Sequence, residues 1–127
     1  MGFIRRFLGL EQEPGQPAKL NDRIFDQVIS DSELPCMVYF YHLWCSSCQV
    51  MGGLLNEIGP EYMDRINFYK IDIMKDPHTA EKYNVRSVPR LIFFREGKPA
   101  DSLETLTPLN QLREWVDSQL RQEKGKE

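Results

Sequence analysis

Residues 44–48, Trp44-Cys45-Ser46-Ser47-Cys48, place two cysteines three positions apart at the junction of two contrasting segments. The preceding residues 37–41, Met-Val-Tyr-Phe-Tyr, form a continuous apolar run, and a central strand covered on both faces is predicted over residues 36–41. Residues 46–58 repeat apolar side chains at helical spacing and predict a helix that buries one face. The cysteine pair is therefore predicted to open a helix directly after a buried strand.

This position assigns different chemistry to the two thiols. Cys45 is predicted to face the unpaired N–H groups and the positive end of the helix dipole, which favour a thiolate. No charged residue occurs between Glu33 and Glu57, so the lowering of its pKa is expected to come from the helix terminus. Cys48, one turn further on, is predicted to be shielded and to attack a mixed disulfide formed at Cys45.

Length and composition restrict the class of protein. A chain of 127 residues with 41% hydrophobic and 28% charged residues predicts one globular domain. A net charge of −3 argues against a nucleic-acid surface. The uncharged residues 34–56 contain Pro35, His42 and two glycines, so no integral membrane segment is predicted. Residues 1–10 lack the apolar core of a secretory signal, and the expected location is the cytoplasm.

The cysteine count leaves a metal site as an alternative. Three cysteines in a reducing compartment do not make a disulfide framework, and one C-x-x-C pair is typical of redox chemistry or of metal binding. A zinc site would have to combine Cys45, Cys48, Cys36 and His42, but a single C-x-x-C is a weak indication of one. Cys36 is predicted to be a small buried hydrophobe. No metal and no prosthetic group are expected.

The remaining chain predicts the order α-β-α-β-α-β-β-α, a mixed sheet with helices on both faces. A helix is predicted over residues 22–29, capped by Asn21 or Asp22, and Gly59-Pro60 is expected to end the helix after Cys45, with a further turn possible over residues 61–63. The other predicted elements are a strand over residues 66–73, a helix over 77–83, a hairpin of strands 91–94 and 100–106, and a helix opened by Thr107-Pro108. Residues 1–10 are expected to be an amphipathic helix or a frayed terminus, residues 11–19 a linker and residues 122–127 a polar tail.

Three separated motifs carry a resemblance to a known family. The first is residues 40–48, an aromatic-rich stretch that ends in Trp-Cys-x-x-Cys. The others are residues 85–89, Val-Arg-Ser-Val-Pro, and residues 93–98, Phe-Phe-Arg-Glu-Gly-Lys. Together they resemble the thioredoxin family over about residues 20–120. The resemblance implies the thioredoxin fold for a domain over residues 20–122, with an extension and linker over 1–19 and a polar tail over 123–127.

The resemblance also implies a function and a site. It implies a thiol-disulfide oxidoreductase that reduces protein disulfides, with Cys45 as nucleophile and Cys48 as resolving cysteine. Pro89 would be cis and lie against the cysteines, the Val88 backbone would pair with an extended substrate segment, and Trp44 would be an exposed docking surface. The implied partners are disulfide-containing client proteins and a reductase that donates electrons. A monomer is the expected state for a domain of this size.

Several positions depart from the family pattern. Tyr39 stands where the family usually has a buried acid, while Lys70, the usual partner of that acid, is retained. Proton transfer at Cys48 would then use water, the Tyr39 hydroxyl or Lys70. Gly53 replaces a helix-kinking proline, and Thr105 replaces the glycine of the substrate groove. The replacement of the buried acid and of the groove glycine favours an alternative function, a protein-interaction module with little or no redox turnover, whereas the intact cysteine pair argues against it.

The dipeptide between the cysteines, Ser46-Ser47, also differs from the Gly-Pro of thioredoxins and the Gly-His of disulfide isomerases. Residues at these positions influence how well the Cys45 thiolate is stabilised. Two hydroxyls that donate to the thiolate would make the disulfide more oxidising, whereas two hydroxyls that face solvent would not. The sequence leaves both arrangements open.

Overall fold

The computed structural model describes residues 15–125, with side chains through residue 122. The elements in this part of the chain are β1 Ala18–Lys19, α1 Phe25–Asp31, β2 Cys36–Tyr41, α2 Ser46–Tyr62, β3 Asn67–Asp72, α3 Pro77–Lys82, β4 Arg90–Arg95, β5 Lys98–Leu103 and α4 Leu109–Gly125. None of these helices is long and apolar enough to cross a membrane.

The sheet has the strand order β1-β3-β2-β4-β5, with β2 at its centre. Strands β1 and β2 pair with β3 in parallel, whereas β4 pairs antiparallel with β2 and with β5. Val38 lies opposite both Tyr69 and Ile92, so the middle of β2 is hydrogen-bonded on both sides. This mixed sheet confirms the predicted α/β thioredoxin fold.

Alternate residues of β2 contribute to two separate cores. Val38 and Phe40 pack in one core with side chains of α1 and α3. Met37 and Tyr39 pack in the other core with side chains of α2 and α4. Successive strand residues point to opposite faces, so the apolar run of β2 supplies both cores, and helices cover both faces as predicted.

Helix α2 runs to Tyr62, so the predicted end of the helix at Gly59-Pro60 is wrong and the possible further turn is continuous with it. Pro60 removes one helical N–H donor, which ordinarily ends a helix. Here the last turn buries Tyr62, whose hydroxyl donates to Asp117 Oδ1 of α4 at 2.7 Å. Tertiary packing thus extends the helix beyond its local signal.

Strand β1 lies inside the segment that was predicted as a linker. Ala18 and Lys19 pair with Tyr69 and Lys70, and the Leu20 N–H donates to the Lys70 carbonyl at 2.8 Å. The linker prediction is therefore wrong for these two residues, which are too few to show periodicity. Residues 1–10, expected to be an amphipathic helix or a frayed terminus, lie outside the described residues. At the other terminus, helix α4 continues to Gly125 through most of the predicted polar tail.

The turn before α1 also differs from its prediction, because α1 begins at Phe25 and not at Asp22. Asn21 Oδ1 accepts the Ile24 N–H at 3.1 Å, as a capping residue does. The Asp22 carboxylate instead accepts the His78 N–H at 3.1 Å and the Thr79 N–H at 2.8 Å at the start of α3. Burial raises the pKa of Asp22, but its hydrogen bonds from Thr79 and His78 outweigh this effect and the pKa is lowered.

Candidate active site

The end of β2 and the start of α2 position the cysteine pair. Cys45 has an extended backbone, with φ −130° and ψ 107°, and occupies the N-cap of α2. Its Sγ forms a disulfide with Cys48, whose Cα lies 5.1 Å from that of Cys45. Cys45 is partly exposed and Cys48 is only 3% exposed, which confirms the predicted shielding of the second cysteine.

The Cys45 sulfur also accepts a backbone hydrogen bond from the helix. The Cys48 N–H lies 3.1 Å from Cys45 Sγ, so an orphan donor of the first turn points at the sulfur. Such a donor stabilises negative charge more strongly than it stabilises a neutral sulfur. The arrangement therefore favours the thiolate of Cys45 in the reduced protein.

The loop before β4 approaches the pair from another part of the chain. The Val88–Pro89 peptide bond is cis, as the resemblance implied. The Val88 carbonyl oxygen lies 4.0 Å from Cys45 Sγ. The Val88 backbone thus borders the more exposed sulfur of the disulfide, and the predicted contact of Pro89 with the cysteines stays a prediction.

An open groove of about 510 Å³ runs past Cys45. Trp44 is 91% exposed on its rim, which confirms the predicted exposure of this side chain. Met74, 71% exposed, and Arg86 also line it. Sequence reasoning missed Met74 and Arg86 as groove residues. The available signal was topological, because Met74 follows the carboxyl end of β3, and ligand sites of α/β sheets gather at that edge.

Tyr39 lies beneath the pair and contacts it through the backbone. Its hydroxyl donates a hydrogen bond to the Cys48 carbonyl, and the residue is 5% exposed. Burial and the neighbouring Tyr41 raise the pKa of Tyr39, so the phenol keeps its proton at neutral pH. The structure therefore places Tyr39 as a donor to the Cys48 main chain, and its part in proton transfer stays a prediction.

Lys70 lies on the strand next to Tyr39, as its register partner in β3. Its Nζ lies 5.7 Å from the centroid of the Tyr41 ring, which stacks on the Tyr39 ring at 5.3 Å. The lysine thus contacts the aromatic pair beneath the site. Its predicted role in proton transfer is likewise still a prediction.

The two serines between the cysteines have different surroundings. Ser47 Oγ lies 3.4 Å from Cys45 Sγ and the residue is half-buried. Ser46 is exposed on the groove. The structure therefore matches neither of the two symmetric arrangements considered from the sequence, because one hydroxyl contacts the sulfur and the other faces solvent.

The two other departures from the family pattern lie on the surface. Gly53 is on the exposed side of α2, with no atom within 4 Å of the position that a Cβ would take. Thr105 is exposed between β5 and α4, and its hydroxyl donates to the Leu106 carbonyl at 3.4 Å. Among the described residues, the groove at Cys45 is lined without either of them.

The four residues considered for zinc do not converge. Cys36 is buried at the first position of β2, whereas Cys45 and Cys48 follow the opposite end of that strand. A strand of six residues spans roughly 17 Å, far beyond a shared coordination sphere. Within residues 15–125 there is no cluster of three His, Cys, Asp or Glu side chains suited to a metal ion.

Comparison with known proteins agrees with this geometry. The thioredoxin family model matches residues 16–118. The chain is 39% identical over 97 residues to thioredoxin Y2, chloroplastic, of Arabidopsis thaliana, an alignment that covers 76% of this chain and 58% of that protein. It is 35% identical over 98 residues to thioredoxin M-type, chloroplastic, of Pisum sativum, covering 77% and 57%.

A bacterial relative is covered almost completely. The chain is 30% identical over 101 residues to the thioredoxin of Rickettsia prowazekii, which covers 80% of this chain and 96% of that protein. By contrast, it spans less than two thirds of the length of the two plant relatives. The family model covers most of the chain, including both cysteines and the cis-proline loop. The chain belongs to the thioredoxin family.

Proposed function

We propose that the chain is a thiol-disulfide oxidoreductase that reduces protein disulfides by dithiol-disulfide exchange. The observation that carries this proposal is the asymmetric pair at the start of α2. Cys45 is accessible in a groove, whereas Cys48 is shielded and already within bonding distance of it. Family membership supports the same chemistry.

The geometry supports a two-step exchange. The Cys45 thiolate attacks one sulfur of a client disulfide, forms a mixed disulfide and releases the other client sulfur as a thiolate. The Cys48 thiolate then attacks Cys45 Sγ, forms the Cys45–Cys48 disulfide and releases the second client sulfur. Two electrons pass to the client, and solvent supplies the two protons of the client thiols. The Cys48 N–H, 3.1 Å from Cys45 Sγ, stabilises the Cys45 thiolate that attacks the client.

The groove supplies the surfaces for binding a client. An extended client segment would hydrogen-bond to the Val88 backbone, whose carbonyl lies 4.0 Å from Cys45 Sγ. The exposed Trp44 ring offers an apolar contact next to the attacking sulfur. Below the pair, the Tyr39 hydroxyl holds the Cys48 carbonyl, and proton exchange at Cys48 uses water, Tyr39 or Lys70.

The proposal includes a partner and a location. Reduction of a client leaves the pair oxidised, so an electron-donating reductase must restore the dithiol before another cycle. We place a monomer in the cytoplasm, where thiols are kept reduced. The names of the plant relatives make a plastid the competing location. Localising the tagged protein by microscopy separates the two compartments.

Trapping of the mixed disulfide tests the proposed function. A Cys48→Ala variant lacks the resolving thiol and is expected to accumulate a covalent complex with insulin whose disulfides are intact. Reduced and alkylated insulin has no disulfide and should give no complex. A Cys45→Ser variant should trap none and should lower the rate of insulin reduction to that of dithiothreitol alone. Insulin reduction by wild type with dithiothreitol that is no faster than with dithiothreitol alone would contradict the proposal and favour the protein-interaction module.

A further inference from the structure

Two hydrogen-bond donors converge on the sulfur that begins the exchange. The Cys48 N–H lies 3.1 Å from Cys45 Sγ, and Ser47 Oγ lies 3.4 Å from the same atom. Both cysteines are in the disulfide, so neither sulfur carries a proton and the serine hydroxyl is the donor of the second contact. The hydroxyl therefore touches the reacting atom itself.

We infer that the Ser47 hydroxyl stabilises the Cys45 thiolate and makes the Cys45–Cys48 disulfide a stronger oxidant than the same site without that hydroxyl. This inference rests on the proposed function, because it assigns the redox poise of the same pair. Ser47 then acts directly on the nucleophile, whereas Ser46 does not.

The direction of the effect follows from the charges in the two redox states. In glutathione buffer, the protein disulfide takes two electrons from two glutathione thiols, which become one glutathione disulfide. The two protons released by glutathione pass to the two protein thiols. If the Cys45 thiolate is stabilised, the proton of Cys45 is then released to solvent. A hydroxyl donates more strongly to a thiolate than to a neutral disulfide sulfur, so the contact shifts the equilibrium toward the dithiol.

The surroundings of Cys45 make a neutral donor important. Residues 34–56 contain no formal charge, so no ionised side chain on β2 or on the first turns of α2 acts on the sulfur. Among the described residues that line the groove, Arg86 is the one with a permanent charge, and its Nε donates to Asn84 Oδ1 at 2.9 Å. The two donors that contact the sulfur, the Cys48 N–H and the Ser47 hydroxyl, both come from its own helical turn.

The chain supplies its own matched control, because Ser46 and Ser47 are adjacent and differ in this contact. In glutathione redox buffers, with tryptophan fluorescence as signal because Trp44 adjoins the disulfide, Ser47→Ala should favour the disulfide by about threefold to tenfold relative to wild type. At about 30 mV per tenfold change, the potential becomes roughly 14–30 mV more negative. Ser46→Ala should change the equilibrium constant less than about twofold, and Ser47→Thr, which keeps a hydroxyl, should stay near wild type.

A second measurement reports the thiolate directly. In the Cys48→Ala background, the pH of half-maximal iodoacetamide alkylation of Cys45 should rise by about 0.5–1 unit when Ser47 is replaced by alanine. Ser46→Ala should leave that pH in place. A purely structural effect on helix stability would not separate the alanine variants in this way.

The two proposals fail in distinguishable ways. If wild type titrates reversibly but reduces no protein disulfide, the proposed function is wrong and the assignment of Ser47 is still tested by the titration. If wild type reduces insulin but Ser47→Ala coincides with wild type, or Ser46→Ala shifts equally, the assignment of Ser47 is wrong. A reversible wild-type titration with a shifted Ser47→Ala and an unshifted Ser46→Ala supports it.

Discussion

The Tyr39 hydroxyl and the Cys48 carbonyl form a hydrogen bond that ties the central strand to the first turn of α2. Tyr39 stands where the family usually carries a buried acid, and it is 5% exposed. Burial raises its pKa, so the position holds a neutral donor and not a titrating carboxylate. The underside of the cysteine pair is thus fixed by an uncharged contact to the backbone.

Loss of this hydroxyl should lower stability by a modest amount. Tyr39→Phe removes one buried donor to the Cys48 carbonyl, and the free energy of unfolding is expected to fall by about 1 kcal/mol. Urea denaturation of the oxidised protein measures the change. Tyr41→Phe is the control, since Tyr41 stacks on the same ring but is less buried, and equal losses in both variants would contradict the assigned contact.

Two glycines of α2 should respond to alanine with opposite signs. At Gly53 a Cβ has open space, so Gly53→Ala is expected to stabilise the helix by about 0.5–1 kcal/mol. At Gly59 a Cβ would overlap the Gly15 carbonyl, so Gly59→Ala is expected to cost about 1–3 kcal/mol. Urea midpoints with unchanged m-values would show both effects, and a stabilised Gly59→Ala would contradict the close approach of the two backbones.

Asp22 should make part of the stability depend on pH. Its folded pKa is lowered, so its contribution is present above the unfolded pKa, near 4, and is lost as pH falls through the folded pKa. Asp22→Asn is expected to cost about 1 kcal/mol at pH 7. The difference in the free energy of unfolding between Asp22→Asn and wild type should shrink below about pH 4. The exposed Asp64→Asn is the control, and a difference that persists unchanged to pH 2 would contradict the linkage.

Cys45 should react as a thiolate near neutral pH. In reduced Cys48→Ala protein, the pH of half-maximal alkylation by iodoacetamide is expected about a unit or more below the roughly 8.5 of an ordinary cysteine. The physical cause is the N-cap position of Cys45, with the Cys48 N–H directed at its sulfur. The buried Cys36 should stay unmodified, as mass spectrometry of the peptides would show. An alkylation profile at the ordinary value would contradict the assigned electrostatics.

The central strand and the cysteine pair were predictable because their signals are local. Strand β2 has the predicted bounds, since six consecutive apolar or aromatic residues before a C-x-x-C helix leave few alternatives. Strand β1 was missed because two residues carry no period, and its strand character comes from pairing with Tyr69 and Lys70. The end of α2 was missed because burial of Tyr62 against α4 outweighs the local effect of Pro60.

The groove was less predictable than the pair. Met74 and Arg86 reach it from separate loops, so their contribution depends on the tertiary arrangement. Likewise, the sequence could not distinguish Ser46 from Ser47, because the phase of the first turn of α2 decides which hydroxyl faces Cys45. Local chemistry therefore identified the reacting atoms, whereas the surfaces around them required the fold.

The disulfide closes a ring within one turn, between residues whose Cα atoms are 5.1 Å apart, and it joins no two separate elements. Oxidation of the pair and unfolding of the chain form a thermodynamic cycle. The redox form that folding stabilises more has the larger free energy of unfolding. The difference between the two unfolding free energies equals the free energy that corresponds to the shift in reduction potential between the unfolded and the folded chain. The reduction potential of the cysteine pair is thus linked to the conformational stability of the protein.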